Sequence, residues 1–253
     1  MPLFGSSSSR SLRGNHEESN EERFYKNLNN WELPRVPISQ IYKERFSFFK
    51  ADYTIETIEK TVPLSKKQET VPLLSKRSIE KHSRRYKYLH FGLVQVAIKP
   101  LSKESLNTPI LLSLRDCRFL KFKDSLLRAI ETNLCNGPVY FDYYPDYGVS
   151  LKDAHEVLTL NIRTGSLPVA LIYRVHFKAM TSLFNAIKAL RSSSIDETLL
   201  MQVDLTRSTK PNPKIIRANE VNFPETWPSP EEGSLENEEN ITTGQRVRTL
   251  SMW

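Results

Sequence analysis

The chain has 253 residues, which suits one sizeable domain with tails, and its hydrophobic fraction of 39% lies slightly below the usual globular value. Its apolar runs are too short to cross a bilayer, and the first residues lack the apolar core of a signal peptide, so we expect neither a transmembrane span nor secretion. Two cysteines, Cys117 and Cys135, exclude a disulfide framework and a zinc pattern, which suits a reducing, cytosolic compartment.

The positive charge is concentrated in the middle of the chain. Residues 1–30 carry four basic and four acidic side chains, and residues 223–253 carry two arginines against six glutamates. The total of +7 therefore leaves +11 on residues 31–222. A domain this basic attracts polyanions, of which nucleic acid is the commonest, although the charge fits an anionic membrane surface as well.

Composition divides the chain into three parts. Residues 1–30, rich in Ser, Asn, Glu and Gly, predict a disordered N-terminal arm. Residues 31–228 predict a single β-domain that contains a basic segment at residues 75–88. Residues 229–253 predict an acidic, disordered tail.

Alternating apolar side chains predict six or seven strands in this domain. The patterns lie at Leu89–Ile98, Pro109–Phe119, Val139–Tyr144, Leu158–Ile162, Leu167–Phe177 and Leu199–Leu205, with weaker ones at Asp52–Lys60 and from Lys214. Strands and helices do not alternate along the chain. The sequence therefore favours an antiparallel sandwich over a doubly wound parallel sheet.

One segment inside this series predicts a helix. Its apolar residues are spaced by four: Phe122, Leu126, Ile130 and Leu134. Charged side chains fall between them, and Gly137-Pro138 follows as a stop signal. The predicted fold is thus mainly β, a jelly-roll-like antiparallel β-sandwich with one amphipathic helix inserted between strands and disordered termini.

The basic segment predicts a nucleic-acid contact. Its cations are Lys76, Arg77, Lys81, Arg84, Arg85 and Lys87. Glu80 is the one acid among them, and Tyr86 and Tyr88 are interleaved. Cations beside aromatic rings suit single-stranded nucleic acid, because phosphates are neutralised while bases stack. A solvated face that keeps the protein soluble is the alternative interpretation.

Catalytic patterns are missing from the sequence. It has no Gly-x-Ser-x-Gly, no phosphate-binding glycine loop and no His-Glu-x-x-His, and its five histidines are scattered. Asp142 and Asp146 flank a turn, which fits a solvated hairpin tip better than a pair of catalytic carboxylates. We therefore predict no catalytic residue, no metal site and no cofactor.

Asp116 occupies an unusual position, because it continues the strand face formed by Ile110, Leu112 and Leu114. A buried carboxylate needs a cation or several hydrogen bonds. Arg115, Arg118 and the amides of the following turn are the candidates. Asp116 then either locks the bend after the strand or contacts a partner at the surface.

These blocks resemble the core of plant-virus cell-to-cell movement proteins, the thirty-kilodalton superfamily, and are most like the movement domain of badnavirus-like and caulimovirus-like pararetroviruses. Leu114, Asp116 and Arg118 match its Leu-x-Asp-x-Arg hallmark, and Gly137 with Pro138 matches its second conserved stretch. Asn222–Trp227 is a weaker match. The likeness covers roughly residues 40–228.

The resemblance implies a non-enzymatic viral movement protein. Such a protein binds single-stranded nucleic acid or virions without sequence specificity, associates with itself, often into tubules, and meets host plasmodesmal proteins. It works in the cytoplasm and at the plasmodesmata (the cell junctions) of the host plant, and peripheral membrane contact is compatible with this role. Two alternatives from other classes remain: a capsid-like jelly-roll structural protein and a small hydrolase with an unfamiliar motif.

Overall fold

The computed structural model describes residues 19–42, 52–119, 121–152, 154, 157–182, 190, 197–206 and 210–224. Within them, the α-helices are α1 (Asn20–Asn30), α2 (Ile38–Ile41), α3 (Lys76–Ser83) and α4 (Phe122–Ser125). The strands are β1 (Tyr53–Pro63), β2 (Gln68–Pro72), β3 (Tyr88–Pro100), β4 (Pro109–Asp116), β5 (Leu126–Asn133), β6 (Val139–Tyr143), β7 (Tyr147–Ser150), β8 (Leu158–Thr164), β9 (Val169–Met180), β10 (Glu197–Val203) and β11 (Pro211–Arg217).

Two antiparallel sheets form the domain. Sheet I has the order β1-β9-β3-β6-β10-β11, with β7 also beside β3, and sheet II has the order β2-β8-β4-β5. The layers β1-β9-β3-β6 and β2-β8-β4-β5 are the two four-stranded layers of a jelly roll, in which the chain passes back and forth between the sheets. Strands β10 and β11 extend sheet I beyond β6. The predicted jelly-roll-like antiparallel sandwich is confirmed.

The core lies between the sheets and follows the period-two pattern of the strands. On β4, for example, Ile110, Leu112 and Leu114 are all at most 1% exposed and belong to the main core cluster. Strand β9 is buried at every position and β3 at nearly every one. Because both faces of these two strands are covered, their side chains are largely apolar at odd and even positions alike.

An N-terminal strap, residues 19–42, covers the outer face of sheet I. Phe24, Leu28 and Leu33 of the strap pack against side chains of sheet I that include Tyr140 and Ile172. Further along, Ile41 and Tyr42 of the strap pack on Leu93 of β3. The strap therefore gives sheet I a second hydrophobic layer.

Two residues of sheet I fit the strap closely. Arg174, on β9, donates from its guanidinium to the carbonyls of Leu33 at 3.1 Å and Pro34 at 2.7 Å. Gly92 lies at the register shift of β3, and a Cβ there would come within 2.6 Å of Ile41 and Tyr42 side-chain atoms. The strap therefore packs closely on sheet I because the buried Arg174 guanidinium donates hydrogen bonds to its backbone and because Gly92 has no side chain.

The prediction of a disordered arm over residues 1–30 is wrong for its last part. Residues 20–30 form α1, whose N-cap Ser19 and Glu22 make a reciprocal capping box. The polar composition hides two apolar side chains at helical spacing, Phe24 and Leu28, and both are buried. Residues 1–18 lie outside the described residues, as does the predicted tail at residues 229–253.

The prediction of an amphipathic helix over residues 122–134 is also wrong. Only Phe122–Ser125 is helical, and β5 follows at once, paired with β4 from Ile110 opposite Thr132 to Leu114 opposite Arg128. A spacing of four is an even number, so it places side chains on one face of a strand as well as on one face of a helix. Pairing with the apolar β4 decides between the two.

Two short strands, β2 and β7, are the other strands that the sequence patterns did not predict. Strand β2 lies in the polar stretch 61–87, where no strand was predicted, and β7 follows the predicted turn at Pro145. Of the two α-helices that lie between strands in the described residues, α3 and the four-residue α4, the longer one is α3, in the basic segment.

Candidate nucleic-acid interface

The main candidate site is an open cleft of about 630 Å³ at one end of the sandwich, which we call the α3 cleft. Helix α3 forms one wall, and the end of β7 with the next residues forms the other. The lining residues are Lys76, Ile79, Glu80, Ser83, Tyr86, Lys87, Tyr88, Ser150, Leu151 and Lys152. The backbone N–H of Leu151 donates to the carbonyl of Lys87 at 2.8 Å, which joins the walls.

Helix α3 owes its orientation to its apolar residues. The Ser75 side chain caps it by accepting from the Ser78 amide at 3.3 Å. Ile79 and His82 are buried, and the His82 ring meets Phe177 edge-on with centroids 5.4 Å apart. Because this side is anchored in the core, the cations of α3 are left on the solvent side.

The six predicted cations are all exposed, but they do not share one face. Lys76 and Lys87 line the α3 cleft. Lys81 lies instead 3.1 Å from Glu56 of β1, and the Arg85 guanidinium lies 5.6 Å from the Tyr86 ring centroid. The structure thus brings two of the predicted residues into the cleft and places Arg77, Lys81, Arg84 and Arg85 outside its lining.

Sequence reasoning missed the second wall of the cleft. Lys152, in the turn that follows β7, adds a third cation, and Ser150, the last residue of β7, adds a hydroxyl. These residues are more than sixty positions from the basic segment, and a lone lysine after a short strand carries no local signal. The pairing of β7 with β3, which places Ser150 opposite Tyr88, brings the two segments together.

The Asp116 carboxylate lies at the same end of the sandwich and is buried, with 2% of the residue exposed. It accepts from the backbone N–H of Arg118 at 3.1 Å and from the Arg118 guanidinium, with Nε at 2.9 Å and Nη2 at 2.5 Å. Arg118 is one of the two expected cations. Arg115, the other, points away and donates from Nε to Ser125 Oγ at 2.9 Å.

Two tyrosine rings lie near this ion pair. The Arg118 guanidinium lies 5.4 Å from the Tyr147 ring centroid, and that of the buried Arg128 lies 4.3 Å from Tyr143. Burial, and to a lesser degree the Asp116 carboxylate, raise the pKa of Tyr147 well above 10. Tyr147 begins β7 and Ser150 ends it, so one short strand connects the Asp116 turn to the α3 cleft.

Gly137 and Pro138 lie at the opposite end of the sandwich. Gly137 has φ +135°, and a Cβ there would come within 2.9 Å of the Val203 carbonyl. The carbonyl of Pro138 accepts from the Val203 amide at 2.9 Å. This stretch therefore turns the chain into β6 beside β10, and it does not join Asp116 and Arg118 in one site. Leu114 is a core residue.

The other polar groups considered from the sequence are separate from each other. Asp142 accepts from Gln95 at 2.9 Å, whereas Asp146 lies 3.2 Å from His90, so they form no carboxylate pair. In the described residues, no group of three or more His, Cys, Asp and Glu side chains could hold a metal ion. No helix among those residues has the length and apolar character needed to span a membrane.

Solved structures with similar folds are viral, but the likeness is low. The structure titled Tobacco necrosis virus gives a TM-score of 0.38 at 9% identity over 63% of this chain and 95% of that one. The structure titled Desmodium yellow mottle tymovirus gives 0.35 at 9% identity over 65% of this chain and 99% of that one.

Sequence relatives are movement proteins of plant viruses. That of carnation etched ring virus is 33% identical over 112 residues, 44% of this chain and 35% of the relative. Those of cauliflower mosaic virus (strain W260) and soybean chlorotic mottle virus are 31% and 29% identical, over 52% and 54% of this chain and 43% and 53% of the relatives. The matched part of this chain thus spans about half or less of each relative's length. A family profile described as "Viral movement protein (MP)" matches residues 23–189, well over half of the chain, and the chain therefore belongs to the viral movement protein family.

Proposed function

We propose that this chain moves viral nucleic acid or nucleoprotein from cell to cell in the host plant, and that it grips single-stranded nucleic acid at the α3 cleft without reading its sequence. The observation that carries the proposal is the convergence of Lys76, Lys87 and Lys152 from separate segments around one open cleft. Among the described residues that line the cleft, Glu80 is the only acid.

The side chains that line the cleft suit a contact with the sugar-phosphate backbone of a nucleic acid. Lysine ammonium groups bind phosphates as point charges, which positions a strand but carries no sequence information. Tyr88 is half-buried in the lining and offers a ring for stacking, which every base accepts. Arg77, Arg84 and Arg85 extend the positive surface beyond the cleft and lengthen the contact.

A binding experiment tests this site directly. The double variant Lys87→Ala/Lys152→Ala should weaken binding of single-stranded oligonucleotides of different sequence to the same extent. Because each lost phosphate contact lowers the log–log salt slope by about 0.7 on single strands, the slope should fall by about 1.4. The control Lys66→Ala/Lys67→Ala removes the same charge from the β1–β2 loop. If both double variants lost the same oligonucleotide affinity, binding would depend on the overall positive charge of the protein and not on the α3 cleft.

No step of such transport needs bond-making chemistry, so we propose a non-enzymatic protein that acts at plasmodesmata and associates with itself, in tubules, during passage. A fluorescent fusion in leaf epidermis should accumulate at punctate junctions between cells. Diffuse cytosolic fluorescence of a folded fusion would contradict this localisation.

A capsid-like structural role is the second candidate, since the two four-stranded layers of this jelly roll also suit virion subunits. Electron microscopy of the expressed protein separates the two functions. Tubules support movement, and closed shells support a capsid.

A further inference from the structure

The four edge strands of the two sheets differ in how well they are protected. Strand β11 contains Pro211 and Pro213, which lack an N–H, and β2 has only five residues and ends in Pro72. The edge of β5 is next to residues 218–223, where the Asn222 amide donates to Glu131 at 3.2 Å. These three edges are blunted, short or covered.

Strand β1 is the exception. It has 11 residues with no proline before Pro63, and β9 is its only partner strand in the described part of the chain. Thr57, Glu59 and Thr61 are exposed along it. A long edge strand rich in Thr and Ile, whose outer backbone groups pair with no other described strand, is a template for another strand.

The charges of β1 select one way of pairing it with itself. In an antiparallel pair, residues that lie opposite each other project from the same face of the sheet. Because side chains alternate along a strand, the sandwich cores of both copies lie on the same side of the joint sheet only if paired residues are an even number of positions apart in the sequence. Centring the pair on Ile58 matches all eleven residues and places Glu56 opposite the partner's Lys60, twice. Centring on Glu56, Glu59 or Lys60 places identical charges opposite each other, and centring on Thr57 leaves Glu56 and Lys60 opposite uncharged residues.

The surroundings of the two charged residues agree with this register. Lys60 is half-buried and makes no hydrogen bond or ion pair within the described residues. Glu56 keeps 31% of its side chain exposed while it accepts from Lys81 and His82. A carboxylate opposite Lys60 would supply the missing partner of this cation.

We propose that two copies of this chain associate by antiparallel pairing of their β1 strands about Ile58, so that sheet I continues from one copy into the other. This rests on the proposed self-association and names the surface and the register that start it. Main-chain hydrogen bonds between the strands supply affinity, and the two Glu56–Lys60 contacts fix the alignment.

Charge exchange tests the register. Lys60→Glu places like charges opposite each other twice and should raise the dimer dissociation constant roughly tenfold or more, measured by light scattering across a dilution series. Lys67→Glu makes the same charge change in the β1–β2 loop and should leave dimerisation unchanged. Glu56→Lys should also dimerise weakly alone, whereas an equimolar mixture with Lys60→Glu should form heterodimers, because both contacts are then attractive.

Hydrogen exchange identifies the surface. Amides of β1 should gain protection as the wild-type dimer forms and lose it in Lys60→Glu. A protein that stays monomeric at all concentrations, a dimer without protection of β1, or variants that do not combine when mixed would each overturn the proposal. Oligonucleotide binding by monomeric Lys60→Glu, measured in parallel, shows whether the α3 cleft functions independently of the β1 edge.

Discussion

The Arg118 guanidinium binds both carboxylate oxygens of Asp116 across the turn that ends β4, with Nε 2.9 Å from Oδ1 and Nη2 2.5 Å from Oδ2. The carboxylate is buried with 3% of its side chain exposed, while Arg118 keeps 42% exposed. One member of the pair thus fixes the turn and the other reaches the surface. A structural role for Asp116 and a contact of this turn with a partner are therefore compatible.

Replacing Asp116 by Ala should destabilise the domain and stop movement. The buried end of β4 would lose its bonds to the Arg118 backbone and side chain, although the half-exposed guanidinium can turn to water. We expect a loss of about 2 kcal/mol in the free energy of unfolding, measured by urea denaturation. The control Asp124→Ala removes an exposed carboxylate from α4 and should cost little. Unchanged stability with lost movement would assign Asp116 to a partner contact alone.

Replacing Gly92 by Ala should loosen the N-terminal strap without altering any charge. The new Cβ would lie 2.6 Å from atoms of the Ile41 and Tyr42 side chains, and such overpacking costs about 1–3 kcal/mol. Cleavage within residues 19–42 under limited proteolysis should become faster. In a Tyr42→Ala background the added cost of Gly92→Ala should shrink, because most of the clashing atoms are gone. Equal costs in both backgrounds would show that the close approach to Tyr42 does not matter.

The long strands could be predicted from sequence because their buried faces repeat with period two. Strands β3, β4 and β9 needed no information beyond this pattern. Residues 126–133 failed because a spacing of four fits a helix and a strand, and the choice depends on β4, which lies elsewhere in the chain. The capping box at Ser19 and Glu22 was a local signal for α1, but a polar composition outweighed it.

The candidate site was predictable only in part, for a similar reason. The basic segment is contiguous and visible in the sequence, whereas Lys152 joins it only through the pairing of β7 with β3. Asp116 stood out because a carboxylate in an apolar row needs a partner. Which arginine would supply it depended on the side of the strand, since Arg115 projects from the opposite face to Asp116.

Replacing Arg174 by Lys should weaken the strap although the charge is kept. The Arg174 guanidinium donates to the Leu33 and Pro34 carbonyls and pairs with Glu59 at 2.6 Å, and one ammonium group cannot reproduce this fork. We expect a loss of about 2 kcal/mol in unfolding free energy and faster proteolysis of residues 19–42. Arg163→Lys, at an exposed site on β8, is the matched control. If both variants resist protease like the wild type, Arg174 does not hold the strap.

Acidification should destabilise the fold through His176. Burial is the main reason that the pKa of His176 falls from 6.5 to about 4, and the nearby Arg174 adds to the effect. The neutral ring is favoured in the fold, so this contribution is fully present above pH 6.5 and is lost as the pH falls toward 4. Between pH 6.5 and 4, we expect the free energy of unfolding to fall by about 2–3 kcal/mol more in the wild type than in His176→Gln, which lacks the titrating ring. Parallel pH profiles of wild type and variant in urea denaturation would refute the assignment.

Replacing Arg84 and Arg85 by Ala should reveal how far the nucleic-acid contact extends beyond the α3 cleft. Both arginines are exposed just after α3 and lie outside the cleft lining. If both touch phosphates, single-strand affinity should fall equally for all sequences, and the log–log salt slope should shrink by about 1.4. Arg35→Ala/Arg163→Ala removes the same charge from exposed sites on the strap and on β8. An unchanged slope in the Arg84/Arg85 variant would mean that these arginines are solvated surface and that the contact ends at the three lysines of the cleft.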